Sequence, residues 1–184
     1  MHSAKDKHKV VNRHGKKPYC RMPIEFSRQA QQAFSPEFKA RIMQAYALFP
    51  ELQNKTIACG LLKRRGWVQG TAIGWANPPV FRLQPNVSVY TIAHELTHLV
   101  QGDGSGIPHG EVPCDIWTVD KLPAELLDQR PYYLLKNSRC DWKRHKLAIK
   151  DLCRQAIEIR KTQRMYIVWL RNQIKKLDSP YRSS

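Results

Sequence analysis

The sequence predicts an α+β domain: a small, mostly antiparallel sheet, one central helix that carries the candidate site, and a helical C-terminal extension. Three observations predict it. Short segments rich in strand formers and bounded by glycine and proline fill residues 56–85. A helical run, SVYTIAHELTHLVQG, follows at residues 88–102. From about residue 141 to 177, apolar residues recur at three- and four-residue steps among many lysines and arginines. The chain has 184 residues, 42% of them hydrophobic, which suffices for one domain with its own core.

Taken in order, residues 1–21 read as a flexible basic arm, because Lys, His and Arg dominate and little is apolar. FSPEFKARIMQAYALFP starts a helix with Ser35 as N-cap, Pro36 in the first position and Glu37 in the first turn. Phe38, Ile42, Ala45, Tyr46 and Phe49 mark its apolar face, and Pro50 stops it. KTIACGLLKRRG, WVQGTAIGWA and PPVFRLQP carry strand signals. The prolines at 78, 79 and 85 place Val80–Leu83 at an edge of the sheet. In the next helix Ser88 is the cap, Ile92, Leu96 and Leu99 mark a face, and Gly102 is read as a left-handed stop. Pro113 is read as opening a further helix towards Lys121, continued after a kink from Pro123 to Gln129. These boundaries give an arm at 1–21, a site-bearing domain at 22–135 and a basic helical extension at 136–184.

Lys and Arg number 31 against 15 Asp and Glu, a formal net charge of +16. Such a field attracts nucleic acid through counterion release without reading bases, although a solvated basic surface accounts for the same number. No apolar run reaches membrane-spanning length, and no apolar stretch follows the basic N-terminus as a secretory signal requires, so no membrane partner is expected. The five cysteines are odd in number and form no C-x-x-C pair. Reduced thiols in a cytoplasmic protein are therefore expected, with Cys20 as a conceivable cap on a metal.

The chemistry-bearing stretch is AHELTHLVQGDGSGIPHGEVPCDIW, residues 93–117. His94 and His98 stand four apart and share a helix face, so they aim two imidazoles at one ion. Glu95 points about 100° around the axis from His94. It cannot readily be a third ligand, but it can reach a water beside the metal and act as a general base. Two histidines do not complete a site, and His109, Glu111 and Asp115 are the candidates for the third ligand.

The stretch QGTAIGWANPPVFRLQPNVSVYTIAHELTH resembles the zincin metallopeptidases of the SprT/Spartan type, and IPHG is similar to their third-ligand motif, which implies His109. The loop after His98 is shorter than in those proteins. Glu111, Cys114, Asp115, Trp117 and Thr118 instead resemble the gluzincin type, including minigluzincins and ImmA/IrrE-like proteases, which implies Glu111 as ligand. The resemblance spans roughly residues 56–123 and leaves the C-terminal helices outside. Physical weighing favours Glu111, because Asp115 one turn on is then placed to hydrogen-bond the far nitrogen of a zinc histidine, whereas His109 as ligand leaves both carboxylates without a task.

The resemblance implies a zincin-like fold and a Zn2+-dependent endopeptidase, with His94, His98 and Glu111 on the metal and Glu95 as catalytic base. Its substrate is a protein or peptide extended along Val80–Leu83. His109, Tyr132 and Tyr133 are candidates to stabilise an oxyanion. The SprT-like aspect also implies a protease recruited to DNA. The rival class is a basic nucleic-acid-binding protein with a structural zinc.

Overall fold

The computed structural model describes residues 23–63 and 66–177. Over these the chain runs β1 (Ile24–Phe26), α1 (Arg28–Ala33), α2 (Pro36–Ala47), β2 (Ile57–Leu61), β3 (Gly70–Ile73), β4 (Val80–Leu83), α3 (Val89–Gln101), α4 (Glu111–Lys121), α5 (Tyr132–Leu135), α6 (Trp142–Ile159) and α7 (Tyr166–Leu177). The basic arm, Cys20 and the terminal SPYRSS lie outside the described residues.

The class is α+β, as expected, but the sheet is mixed rather than mostly antiparallel. Its order is β1-β2-β4-β3. β1 pairs with β2 and β2 with β4 in parallel, and only β3 against β4 is antiparallel. The parallel β1–β2 pair is made possible by α1 and α2, which carry the chain back across the sheet, as a parallel connection requires. β1 has only three residues, too few to show an alternating pattern.

A second correction concerns the edge. Val80–Leu83 is an interior strand between β2 and β3. The prolines flank it instead of interrupting it, and the Pro79 carbonyl accepts the Ala58 amide at 2.9 Å. Phe81 and Leu83 are buried completely. The strands at the edges are β1 and β3, and all four residues of β3 are partly exposed.

Local chemistry accounts for the helices. The Ser35 hydroxyl accepts the Phe38 amide, and the five apolar residues expected on this helix are all buried. Ser88 accepts the Thr91 amide at the start of α3. The Asp128 carboxylate reaches in from the loop after α4 and accepts the Val89 and Tyr90 amides at 3.0 and 3.1 Å. An anion over the positive end of the helix adds to the cap. Along α3 every residue except His98 is buried, so this is a central helix packed on most of its circumference.

The end of α3 differs from expectation. Gly102 has φ −69°, an ordinary right-handed conformation. Glycine is needed here for proximity, because a Cβ on Gly102 would lie 2.7 Å from the Gly74 Cα, and one on Gly74 would lie 2.9 Å from the Gly102 Cα. These two glycines let the end of β3 meet the end of α3 backbone to backbone. The following helix begins at Glu111, two residues before Pro113, and ends at Lys121 as expected. The segment after Pro123 makes only a short 3-10 turn, Ala124–Leu126.

Asp141 caps α6 through the Lys143 and Arg144 amides. α6 packs on α4 and α7 on α6, burying Ile149, Cys153, Ala156, Tyr166, Leu170 and Ile174 in the common core. Several cations of this region have partners inside the fold. The Lys150 ammonium donates to the carbonyls of Val119, Asp120 and Leu122, closing the C-terminal end of α4. Arg154 pairs with Asp120, and the Arg160 guanidinium lies over the Trp117 ring. Among the described residues Cys59, Cys114 and Cys153 are buried free thiols, and Cys140 is buried as well. No helix among the described residues is long and apolar enough to cross a membrane.

Candidate metal centre

His94 and His98 project from α3 towards the start of α4, with their Nε2 atoms 3.1 Å apart. His94, His98 and Cys114 form a group that can hold a metal ion, their ligand atoms lying within 4.8 Å of one another. Glu111 comes to the same point from the first turn of α4. Its Oε2 is 3.1 Å from His94 Nε2 and 3.3 Å from His98 Nε2.

Two donor sets thus share the histidines, and geometry separates them. A small ion in tetrahedral coordination, bonded to nitrogen and oxygen at about 2.0–2.1 Å, separates its ligand atoms by about 3.3–3.4 Å. The His94–His98–Glu111 triangle, with edges of 3.1, 3.1 and 3.3 Å, already has nearly that size. Cys114 is fully buried, and its Sγ donates to the His94 carbonyl at 3.2 Å. That contact gives the side chain a task in the packing of α3 against α4. Glu111 opens this helix because Gly110 precedes it at φ 106°, a conformation that L side chains rarely adopt.

The far nitrogen of each imidazole meets a different acceptor. His94 Nδ1 lies 3.0 Å from Asp115 Oδ1, an off-line approach, so the pair is a close electrostatic contact more than an aligned hydrogen bond. Asp115 is buried and held by Tyr90, whose hydroxyl donates at 2.6 Å, and by the Leu134 amide at 2.8 Å. His98 Nδ1 meets Gln101 Oε1 at 2.7 Å.

The electrostatics favour a cation at this point. Burial opposes a charge on His94, but Cys114, Asp115 and Glu111 more than reverse it, and the imidazole titrates well above its usual range. Burial also opposes a charge on His98, and contacts with Cys114 and Glu111 still lift it to about 10. Hydrogen bonds from the two histidines pull the Glu111 carboxyl down to about 2. A metal ion held by this donor set would take the place of the protons it attracts.

Glu95 is 6% exposed, and burial pushes its carboxyl up to about 7 although both histidines pull it down. Its side chain lies against Gly70 at the start of β3. A Cβ there would come within 2.5 Å of Glu95 Oε1 and 2.6 Å of Cγ. Gly70→Ala is therefore expected to displace the Glu95 carboxylate while leaving the metal donors in place. A loss of roughly 10- to 100-fold in any activity that depends on Glu95 should accompany unchanged metal binding, since small misplacements are costly in catalysis. Metal titration of the variant beside an activity assay checks it, and a variant as active as the parent would remove Gly70 from the site.

These groups face a cleft of about 760 Å³ bordered by β3. Trp67, Trp75 and Tyr132 stand exposed along it. The Tyr133 ring stacks on His94 with centroids 6.1 Å apart. His109 also lines the cleft but is exposed and lies outside the donor cluster. Of the residues proposed from sequence, the fold brings His94, Glu95, His98, Glu111 and Asp115 together. Cys114, Gln101 and Gly70 are additional members. Gln101 was within reach of the sequence, since it stands one helical turn after His98 on the same face. Compared with known protein families, curated proteins and solved structures, the chain matches none.

Proposed function

We propose that this protein is a zinc-dependent endopeptidase of zincin type, with His94, His98 and Glu111 holding the ion and Glu95 as the general base. The convergence of two imidazole nitrogens and one carboxylate oxygen within 3.3 Å, at the wall of an open cleft, carries the reading. A structural zinc is ordinarily closed by four protein ligands, often thiolates, whereas three protein ligands beside a cleft leave room for reactants.

When bound, zinc supplies a Lewis acid that polarises a carbonyl and makes water beside it easier to deprotonate. The remaining work falls to the chain. Glu95, largely buried and given room by Gly70, takes a proton from the attacking water and delivers it to the departing amine nitrogen as the C–N bond breaks. Asp115 and Gln101 orient the two imidazoles. Tyr133, stacked on His94 and bordering the cleft, is the candidate to donate to the carbonyl oxygen as negative charge grows there. The substrate is an extended polypeptide lying beside β3, the edge strand that borders the cleft and pairs on its outer side with no other strand among the described residues, instead of beside Val80–Leu83.

The test uses the full chain stripped of metal by chelation and then reloaded with Zn2+. Casein and a mixed peptide library should be cut only by the reloaded protein, and loaded protein that leaves both intact would overturn the reading. A second reading rests on the His94–His98–Cys114 group, in which the thiol completes the metal set. Cobalt separates the two, because a thiolate ligand adds an intense near-ultraviolet charge-transfer band that carboxylate ligation lacks.

The basic surface supports a further proposal, contact with nucleic acid of any sequence. Lys150, Arg154 and Arg160 have partners within the fold, so charge reversal at Lys143 is the cleaner probe. Affinity for duplex DNA should fall with salt at a log-log slope of about −0.9 per phosphate neutralised, less steeply in the variant. The absence of binding at low salt would reduce the charge to solvation.

A further inference from the structure

We propose that Gln101 is a positioning residue that sets the tautomer of His98 and, through the same amide, fixes the entry of Glu111 into the metal centre. The proposal rests on the reading of His98 and Glu111 as ligands, and it adds a link between them that the resemblance to zincins does not supply.

The side chain of Gln101 stands one turn beyond His98 on α3, and the residue is 3% exposed. Its Nε2 donates to the carbonyls of Pro108 at 2.6 Å and Gly110 at 3.2 Å. Backbone carbonyls only accept, so the amide nitrogen has to face them, and this settles which end of the amide is which. Oε1 is then the atom turned to His98, at 2.7 Å from Nδ1. Because Oε1 only accepts, His98 Nδ1 carries a hydrogen, and Nε2, which faces His94 Nε2 and Glu111 Oε2, is the nitrogen left to take a metal. Two carbonyls of the loop before α4 thereby determine the tautomer of His98.

The same contacts act in the other direction. Gly110 is the residue before Glu111, and its carbonyl also accepts the Cys114 amide in the first turn of α4. Holding the Pro108 and Gly110 carbonyls against the end of α3 holds the loop at residues 102–110 in the position from which Glu111 reaches the histidines. Gln101 also differs from its counterpart: His94 is backed by the carboxylate of Asp115, His98 by a neutral amide. A neutral acceptor can donate on its other side, which a carboxylate cannot.

The test is a double-mutant cycle in zinc affinity, read by competition with a chromogenic chelator, over wild type, Q101M, E111A and Q101M/E111A. Q101M alone should weaken zinc about 10- to 100-fold, in the range of residues that orient metal ligands. In the E111A background its effect should shrink at least threefold, because half of its task has gone. An equal factor in both backgrounds, or no loss in either, overturns the coupling. Q101E is the second variant: it keeps an acceptor for His98 but sets a carboxylate against two carbonyls. Long-range 1H–15N correlation on the zinc-loaded protein should show His98 Nδ1 protonated in wild type and Q101E, with zinc weakened in Q101E all the same. His98 protonated on Nε2 in the wild-type protein would overturn the tautomer assignment. Peptide cleavage enters none of these readouts, so a protein that binds zinc through this link yet cuts no peptide bond sinks the endopeptidase reading alone.

Discussion

Glu95→Gln is expected to retain the fold and the bound metal while lowering peptide hydrolysis by at least about 100-fold, the usual contribution of a positioned acid–base group. Gln reproduces the shape of Glu but cannot accept a proton from water. The site tolerates the exchange sterically, because the space left by Gly70 suits either side chain. Electrostatically the exchange removes a burden. The Glu95 carboxyl has an ordinary value of 4.5 and is lifted by burial to about 7. As pH rises through that window the folded, metal-free protein holds on to a proton that the unfolded chain has released, and stability falls. Above pH 7 the cost is on the order of 1–3 kcal/mol, and below about pH 4.5 it vanishes. Metal-free Glu95→Gln should therefore melt above wild type at pH 8 and together with it at pH 4. Undiminished cleavage by the metal-loaded variant would end Glu95's role as the base, whatever the melting curves show.

Zinc binding should collapse in Glu111→Ala and persist in His109→Ala. Removing Glu111 leaves two imidazoles and takes away the carboxylate that lies 3.1 and 3.3 Å from them, so a loss of at least about 1000-fold is expected for a donor bonded to the ion. His109 is exposed in the cleft and outside the donor cluster, so its loss should change affinity less than threefold on the order-of-magnitude scale of peripheral residues. Asp115 is best tested as Asn, because alanine would strand the Tyr90 hydroxyl and the Leu134 amide in the core. Asp115→Asn should weaken zinc about 10- to 100-fold. Competition titration against a chelator ranks the variants. Should Cys114→Ala exceed Glu111→Ala in damage, the thiol is the third donor and the carboxylate is not.

The parts of this protein that could be read from the sequence are those governed by near neighbours. The caps Ser35, Ser88 and Asp128 divide along that line. Ser35 and Ser88 bond to amides three residues ahead, whereas Asp128 reaches α3 from about forty positions away and was not foreseen. The apolar face of α2 was legible because its period is set by the helix itself. Val80–Leu83 was misplaced because the prolines around it record where a strand begins and stops, not which strands lie beside it. Gly102 was misread because a glycine after a helix signals a left-handed turn on average, and here the constraint is the backbone of Gly74.

For the site, the sequence by itself determined that His94 and His98 face one point with Glu95 beside them, since a spacing of four along a helix permits nothing else. It narrowed the third donor to a few downstream side chains and favoured Glu111. Only the tertiary structure brought Glu111 within 3.3 Å of both imidazoles, set Cys114 beneath them, opened a space at Gly70 for the Glu95 carboxylate and turned the Gln101 amide towards His98. The physical reason is that each of these depends on a backbone conformation or a close approach outside α3: Gly110 at φ 106°, the contact of Gly74 with Gly102, and two loop carbonyls that accept from one buried amide. Helical periodicity carries no information about such contacts.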